Sequence, residues 1–293
     1  MERLATLWGH VVTPPRLIVE RENCVYDVTL SNGRAALRLH RVGYQSRAAI
    51  EAELLWTEGL AEQGFPCPRP LRSRAGHLVE QYADGRLASM VTWMDGTALA
   101  DVAPTPDHFF ALGSLLADLH AKTDALNLPQ MDRPAWDAAA FTCDTPHWGC
   151  YWENTALSEG DRKLLQNARA FLGQYLAQDK WSDRGLIHAD VLGENVLVDG
   201  NQLRLIDFDD AGYGYRLYDL GTALIQYSDR TDLCAALREG YAKRTPVSEE
   251  EVMIFVLMRA LASCGWVISR VPKDDPRLAF YANRAVNMAR RVL

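Results

Sequence analysis

The chain has 293 residues, of which 48% are hydrophobic and 24% charged. That composition excludes a disordered chain, a collagen-like repeat and a small disulfide-stapled domain, because a chain this long can bury a core without covalent help. The formal net charge is −7, and the basic residues form no stripe of the kind a nucleic-acid partner requires. They are unevenly spread: residues 1–94 contain eleven arginines but no lysine and sum to +1, whereas residues 95–293 sum to −8.

The first fifteen residues, MERLATLWGHVVTPP, lack the apolar core and cleavage site of a signal peptide. The longest purely apolar run, Val252–Met258, has seven residues, fewer than the about 20 a membrane-spanning helix needs. Six cysteines occur without a C-x-x-C pair. The expectation is a cytoplasmic chain with reduced thiols, no membrane association and no nucleic-acid partner.

Residues 25–30 are β-rich, Ser31-Asn32-Gly33 supplies a turn, and residues 35–39 run back, so a hairpin is expected. A helix follows over about Arg47–Gln63, with Ile50, Leu54, Leu60 and Ala61 on its apolar face. The run Phe65-Pro66-Cys67-Pro68-Arg69-Pro70 ends it. Short strands are expected near 77–82 and 87–94, and Asp95-Gly96 breaks the second. Thereafter the pattern is mostly helical. Phe109, Leu112, Leu116 and Leu119 share one helical face, as do Leu165, Ala168, Leu172 and Tyr175 after a capping start at Ser158. Ser248 with Glu251 forms an S-x-x-E capping box before an apolar helix, and a last helix is expected over 278–293.

One stretch interrupts this helical background. Leu186-Ile187-His188-Ala189-Asp190 leads to Asn195; then Val196–Val198 and Leu203–Ile206 form two short apolar strands joined by the turn Asp199-Gly200-Asn201. A hairpin here brings Asn195 and Asp207 to one open end, where an amide oxygen and a carboxylate make hard donors suited to Mg²⁺. Asp190 lies in a loop that can reach the same end, where a carboxylate accepts or orients a hydroxyl proton.

The pattern H-x-D-x-x-x-x-N followed by I-D-F resembles the catalytic loop and metal site of the aminoglycoside phosphotransferase and choline kinase-like superfamily, which is related to protein kinases. It is most similar to the branch of stress response kinase and homoserine-kinase-like proteins, in which H-A-D, N-V-L-V and I-D-F-D-D-x-G-x-G-x-x-L-Y-D-L recur in order. The last of these is present as Ile206-Asp207-Phe208-Asp209-Asp210-Ala211-Gly212-Tyr213-Gly214-Tyr215-Arg216-Leu217-Tyr218-Asp219-Leu220.

The resemblance implies an α+β, bilobal, protein-kinase-like fold. A small β-rich N-lobe over 1–94 would bind ATP. A larger, mostly helical C-lobe over 95–293 would hold the catalytic loop, metal site and substrate pocket. It implies Asp190 as catalytic base, Asn195 and Asp207 as Mg²⁺ ligands, and Asp209 as a further ligand or a substrate contact. His188 would pack inside the loop, and Asp219 would accept its backbone N–H groups. Arg38 takes the strand position where kinases carry a lysine, and a guanidinium still supplies a permanent, two-pronged charge for phosphate. Glu53 is its expected helix partner, with Glu51 the alternative. In place of a glycine-rich loop stands Glu22-Asn23-Cys24-Val25-Tyr26, with Asn23 a candidate nucleotide contact. The adenine hinge is expected at Thr92-Trp93-Met94. Candidate substrate residues are Asp210, Tyr213, Trp148 and Trp152. The aromatic run 147–152 can serve as a substrate wall for a cationic group or as buried packing.

The function implied is transfer of the γ-phosphate of ATP, with Mg²⁺, to a hydroxyl of a small molecule. An amino alcohol or homoserine-like metabolite fits better than an aminoglycoside. The alternatives are a protein Ser/Thr kinase and a non-catalytic nucleotide-binding protein. Against the former, only eleven residues separate Asp207 from Asp219, too few for a long activation segment.

Overall fold

The two-residue turn Ser31-Asn32 joins β2 (Cys24–Leu30) to β3 (Gly33–Leu39) in the expected hairpin, with Leu30 opposite Gly33. This hairpin is the centre of a six-stranded antiparallel sheet in the computed structural model, which describes every residue except Arg21, Glu22, Asp179, Lys180, Ser182 and Asn201. Glu22 of the expected nucleotide stretch and Asn201 of the expected 199–201 turn therefore lie outside the described residues. The remaining strands of the sheet are β1 (Val11–Glu20), β4 (Pro70–Leu71), β5 (Val79–Gln81) and β6 (Leu87–Thr92). Their order is β1-β2-β3-β6-β4, with β5 also on β6.

Strand β1 has no counterpart in the sequence reading. Pro14 and Pro15 interrupt its pattern, yet it is an edge strand, where proline's missing N–H costs no ladder bond on the open side, and irregular register steps at 11–13, 13–16 and 17–19 absorb the misfit.

Alternation along β3 sends its side chains to two different cores. Ala35, Leu37 and Leu39 join Val28, Leu30, Ala88 and Met90 beneath the short helix α1 (Glu2–Ala5) and Trp8. Ala36 faces the other way, into a cluster with Ile50 and Leu54 of α2 (Arg47–Glu62) and with Leu78, Val79 and Val91. Arg38, two residues on, shares that second face. Ser46 starts α2 by accepting the Ala49 N–H at 3.0 Å.

By contact the chain divides into two units. The first comprises Met1–Ala98, Lys122–Arg133 and Val196–Asp209, so it takes in the hairpin β10 (Val196–Asp199) and β11 (Gln202–Leu205), to which β7 (Thr97–Ala98) adds. The second comprises Leu99–Ala121, Pro134–Asn195 and Asp210–Leu293. It holds a small sheet, β8 (Ala135–Trp136), β12 (Gly212–Tyr215) and β9 (Arg184–Ile187), which is β8-β12-β9 in order. Its helices are α3 (Pro106–Ala125, up to Ala121), α4 (Ala138–Thr142), α5 (Glu159–Leu176), α6 (Leu217–Leu224), α7 (Thr231–Tyr241), α8 (Glu249–Trp266) and α9 (Pro276–Val292).

The apolar stripes expected for α3 and α5 are buried, and Ser248 and Glu251 complete a capping box at the start of α8. Every residue of α8 from Val252 to Gly265 is buried. Glu249–Ser269 is long and apolar enough to cross a membrane by length and composition, a longer stretch than the seven-residue run suggested. However, 83% of its most apolar window is buried inside the protein, as a core helix should be. Close approach to α6 requires a glycine there: a Cβ on Gly221 would lie 2.5 Å from the Phe255 carbonyl oxygen.

Candidate active site

In the first unit, Arg38 leaves β3 on the α2 face and donates from Nη2 to Glu53 Oε1 at 2.7 Å. Glu53 lies on the helix face of Ile50 and Thr57, all buried, whereas Glu51 points outward and pairs with Arg47 one turn back at 3.5 Å. The alternative between the two glutamates is thereby resolved in favour of Glu53. Burial works against the charge of Arg38, but the carboxylates of Glu53, Asp209 and Asp207 more than offset it and raise the guanidinium's pKa.

Asp207 and Asp209 follow β11. Asp207 is exposed and sits in the left-handed region at φ 64°, an uncommon conformation for a residue with a Cβ. Phe208 between them is buried with its ring edge-on to Trp56 of α2, 5.3 Å between centroids. Asp209 after it is buried as well. Its carboxylate accepts from Asn23 Nδ2 at 3.3 Å, and its backbone carbonyl accepts from Gln45 Nε2 at 2.8 Å and from the Arg133 guanidinium. Arg133 also donates to the carbonyls of Ala49 and Phe208, so it holds the 207–209 backbone against the start of α2. Asp209 Oδ1 and Glu53 Oε2 are buried without hydrogen-bond partners. Burial and the Glu53 anion push the Asp209 pKa up to about 7. Three carboxylates around Arg38 and Arg133 leave this unit short of positive charge at the spot where Asp207 emerges.

Asn23 also accepts the Arg41 N–H at 3.2 Å, so it ties the start of β2 to the end of β3. Trp93 lies just beyond β6 with the Arg34 guanidinium over its ring at 3.8 Å, and Met94 after it is half-buried.

In the second unit, Asp219 of α6 is fully buried and accepts the N–H of His188 at 3.0 Å and of Ala189 at 2.7 Å. This clamp holds Ala189 in the left-handed region at φ 65°, a conformation that costs a residue with a Cβ about 1–3 kcal/mol. His120 of α3 donates from Nε2 to Asp219 at 3.1 Å and accepts from the Tyr241 hydroxyl at 2.9 Å. Burial opposes the charge on Asp219, yet the His120 bond and the loop N–H groups keep its pKa below the usual carboxylate range. Burial lowers the pKa of His120, in keeping with a neutral ring that donates to one neighbour and accepts from the other. His188 is buried, and its Nδ1 accepts the Asp190 N–H at 3.3 Å.

Beyond the Ala189 bend, the Asp190 side chain retains 20% exposure and is gripped from two sides. Arg259 of α8 donates from Nη2 to Oδ1 at 2.7 Å, and Asn195 Nδ2 donates to Oδ2 at 2.8 Å and to the Asp190 carbonyl at 2.9 Å. Asn195 spends its amide nitrogen on Asp190 and keeps its oxygen, with its lone pairs, as the remaining polar end. The Arg259 guanidinium also lies 4.8 Å from the Trp148 ring centroid. Burial works against its charge, but Asp190, Tyr218 and Asp210 raise its pKa.

The four candidate substrate residues separate. Trp148 joins the Asp190–Arg259 group. Trp152 instead carries Arg169 of α5 over its ring at 4.5 Å. The Asp210 carbonyl accepts from Trp136 Nε1 at 2.8 Å, and Tyr213 sits in β12 opposite Leu186. Arg259, Arg133, Gln45 and His120 were not singled out in the sequence. Arg259 did leave a signal, as the lone charge in a buried run that is otherwise apolar or small.

The donor chemistry fits a hard divalent cation. In the first unit, Asp207 is an exposed carboxylate next to unpartnered buried carboxylate oxygens and excess negative charge; in the second, Asn195 keeps an amide oxygen. No cluster of three His, Cys, Asp or Glu side chains able to hold a metal occurs among the described residues.

Comparison with known proteins gives these features a family. Residues 16–252 match the model of the phosphotransferase enzyme family, APH. A homoserine kinase of Pseudomonas aeruginosa is 30% identical over 259 residues, covering 85% of this chain and 78% of that protein. A homoserine kinase of Methylobacillus flagellatus is 27% identical over 260 residues, covering 85% and 76%. The solved structure of a microcompartment-associated aminopropanol kinase superposes with a TM-score of 0.86 at 27% identity, covering 99% of this chain and 95% of that one. A spectinomycin phosphotransferase shares the fold with a TM-score of 0.68 at 16% identity. The chain therefore belongs to the phosphotransferase enzyme family and is a kinase acting on a hydroxyl group.

Proposed function

We propose that this kinase is ATP- and Mg²⁺-dependent and phosphorylates the hydroxyl of a small metabolite, an amino alcohol or a homoserine-like compound, rather than an aminoglycoside. The observation that carries this reading is Asp190: a partly exposed carboxylate fixed by Arg259 and Asn195, on a loop clamped by Asp219, in a chain whose relatives include homoserine kinases and an aminopropanol kinase.

In the transfer, the acceptor oxygen bonds to the γ-phosphorus while the bond to the β-bridging oxygen breaks, and ADP leaves. Asp190 orients the acceptor hydroxyl and takes its proton. Both of its oxygens accept one bond from the protein and keep lone pairs for this. Asp207 in the first unit and Asn195 in the second supply oxygen donors for Mg²⁺, which when bound offsets charge on the transferred group. Arg38, held by Glu53, contacts the ATP phosphates, while Asn23 and the Trp93-Met94 segment contact the rest of the nucleotide. Asp209 supports this pair from within the buried carboxylate group. Six free thiols suit a reducing cytoplasm.

An ADP-release assay over a panel of small alcohols, with Asp190→Asn as blank, tests the reading. At least one amino alcohol or hydroxy-amino acid should give Mg²⁺-dependent release that the variant loses. Release from aminoglycosides alone would contradict the substrate class.

A further inference from the structure

Trp148 touches the Asp190 loop through one side chain only, the Arg259 guanidinium that lies 4.8 Å from its ring centroid. That guanidinium is a fork. Its Nη2 donates to Asp190 Oδ1 at 2.7 Å, and its Nη1 donates to the Ala189 carbonyl at 3.4 Å. Arg259 therefore holds the loop by one side-chain oxygen and one backbone oxygen, whereas Asp219 holds it by the N–H groups of His188 and Ala189. A long side chain carries much rotamer freedom, so a fork aimed at one carboxylate needs a support of its own.

The support is aromatic. Trp148 is half-buried and packs edge-on to Trp136, with 4.9 Å between centroids and 81° between planes. Trp136 is the fixed end of this column. It is buried, stacks on the Tyr218 ring at 5.6 Å and donates from Nε1 to the Asp210 carbonyl at 2.8 Å. It lies in β8 opposite Gly214 of β12, where a Cβ would come within 2.7 Å of the Trp136 Cβ. The second glycine of the Gly212-Tyr213-Gly214 motif thus leaves room for the indole. The Trp148 backbone is seated as closely: a Cβ on Gly265 of α8 would lie 2.5 Å from the Gly149 carbonyl oxygen and 3.0 Å from that of Trp148. Trp148 therefore meets α8 twice, by its backbone at Gly265 and by its ring at Arg259.

We propose that Trp148, backed by Trp136, is a positioning residue for phosphoryl transfer. It holds the Arg259 fork, and through it the Asp190 carboxylate, instead of receiving the cationic end of the acceptor. One face of its ring already carries a cation of the protein itself. The proposal rests on the kinase reading above for the role of Asp190.

The test is steady-state kinetics of the full chain on L-homoserine or 1-aminopropan-2-ol, whichever is turned over faster, with thermal melts of each variant. Trp148→Met fills the space without a ring face. It should lower kcat about tenfold or more and change the acceptor KM by less than about threefold. Trp148→Phe keeps a weaker ring face, so its kcat should fall between those of wild type and the Met variant, and it decides alone if the Met variant does not fold. The losses from Trp148→Met and Asp190→Asn should not add: the double variant should turn over at about the rate of Asp190→Asn. A raised acceptor KM at unchanged kcat would overturn the proposal, because that is the pattern of a substrate wall. Additive losses would overturn it as well. If wild type turns over neither acceptor, or Asp190→Asn keeps the wild-type rate, the kinase reading fails instead. The carboxyl carbon NMR signal of Asp190 then decides the relay: movement of that signal in Trp148→Met supports it, and an unmoved signal refutes it.

Discussion

Arg259 reaches from the middle of a buried apolar helix to place its Nη2 2.7 Å from Asp190 Oδ1, with Trp148 under its guanidinium. Its side chain is 6% exposed, so the pair sits where removing one partner leaves an unsatisfied charge. The expected consequence is that Arg259→Gln costs about 3–5 kcal/mol of stability and lowers kcat more than it raises KM for the acceptor, because the carboxylate loses its fixed orientation. Arg259→Lys keeps the charge without the fork and should recover stability better than kcat. Thermal melts and steady-state kinetics of the two variants check this.

The buried pair Arg38–Glu53 makes a separable claim about the nucleotide. Arg38→Ala should raise the KM for ATP about tenfold or more, the scale of one charge-assisted contact. Glu53→Gln should raise it less, because Arg38 remains but is held less firmly. A double-mutant cycle on ATP binding should give a clearly non-zero coupling, and strictly additive effects would show that Glu53 does not act through Arg38.

Asp219 and His120 make stability depend on pH in a defined direction. The folded state holds the Asp219 pKa below its unfolded value near 3.9, so its contribution is present above about pH 4 and is lost as pH falls through the folded value. The His120 pKa is also depressed, below an unfolded value near 6.5, so stability falls as pH drops below about 6.5. Denaturant melts should show stability declining first below pH 6.5 and again below pH 4. Asp219→Asn should lose about 3 kcal/mol at pH 7 through the broken loop clamp, and the gap from wild type should narrow in acid.

For Asp207, the exposed carboxylate at a left-handed φ, Asp207→Ala should raise the Mg²⁺ concentration needed for half-maximal activity at least tenfold while the protein stays folded. Titration of Mg²⁺ at saturating ATP reads this directly. An unchanged midpoint would remove Asp207 from the metal site.

Much of this architecture was legible in the sequence because local chemistry and tertiary packing agree. Gly33 and the Ser31-Asn32 turn set the β2–β3 register, and the apolar repeat of α3 faces the core. The loop around Asp190 was legible through its residue spacing. Strand β1 was not, since its two prolines contradict a strand anywhere except at an edge, and edge position is a tertiary fact. The pairing of β8 with β12 was hidden for a similar reason: a two-residue strand has too few positions to show a period. Arg259 and Arg133 were missed because each acts across long sequence separation, Arg259 on Asp190 and Arg133 on the carbonyls after β11. Trp148 and Trp152, four residues apart in one aromatic run, could not be told apart until their arginine partners, Arg259 and Arg169, were seen.

The most direct test of the central claim is Mg·ATP-dependent ADP release on the best small alcohol, compared between wild type and Asp190→Asn. The account expects the variant to stay folded and bind ATP while its kcat falls by about 10²–10⁴. Turnover by Asp190→Asn within a few-fold of wild type would contradict it.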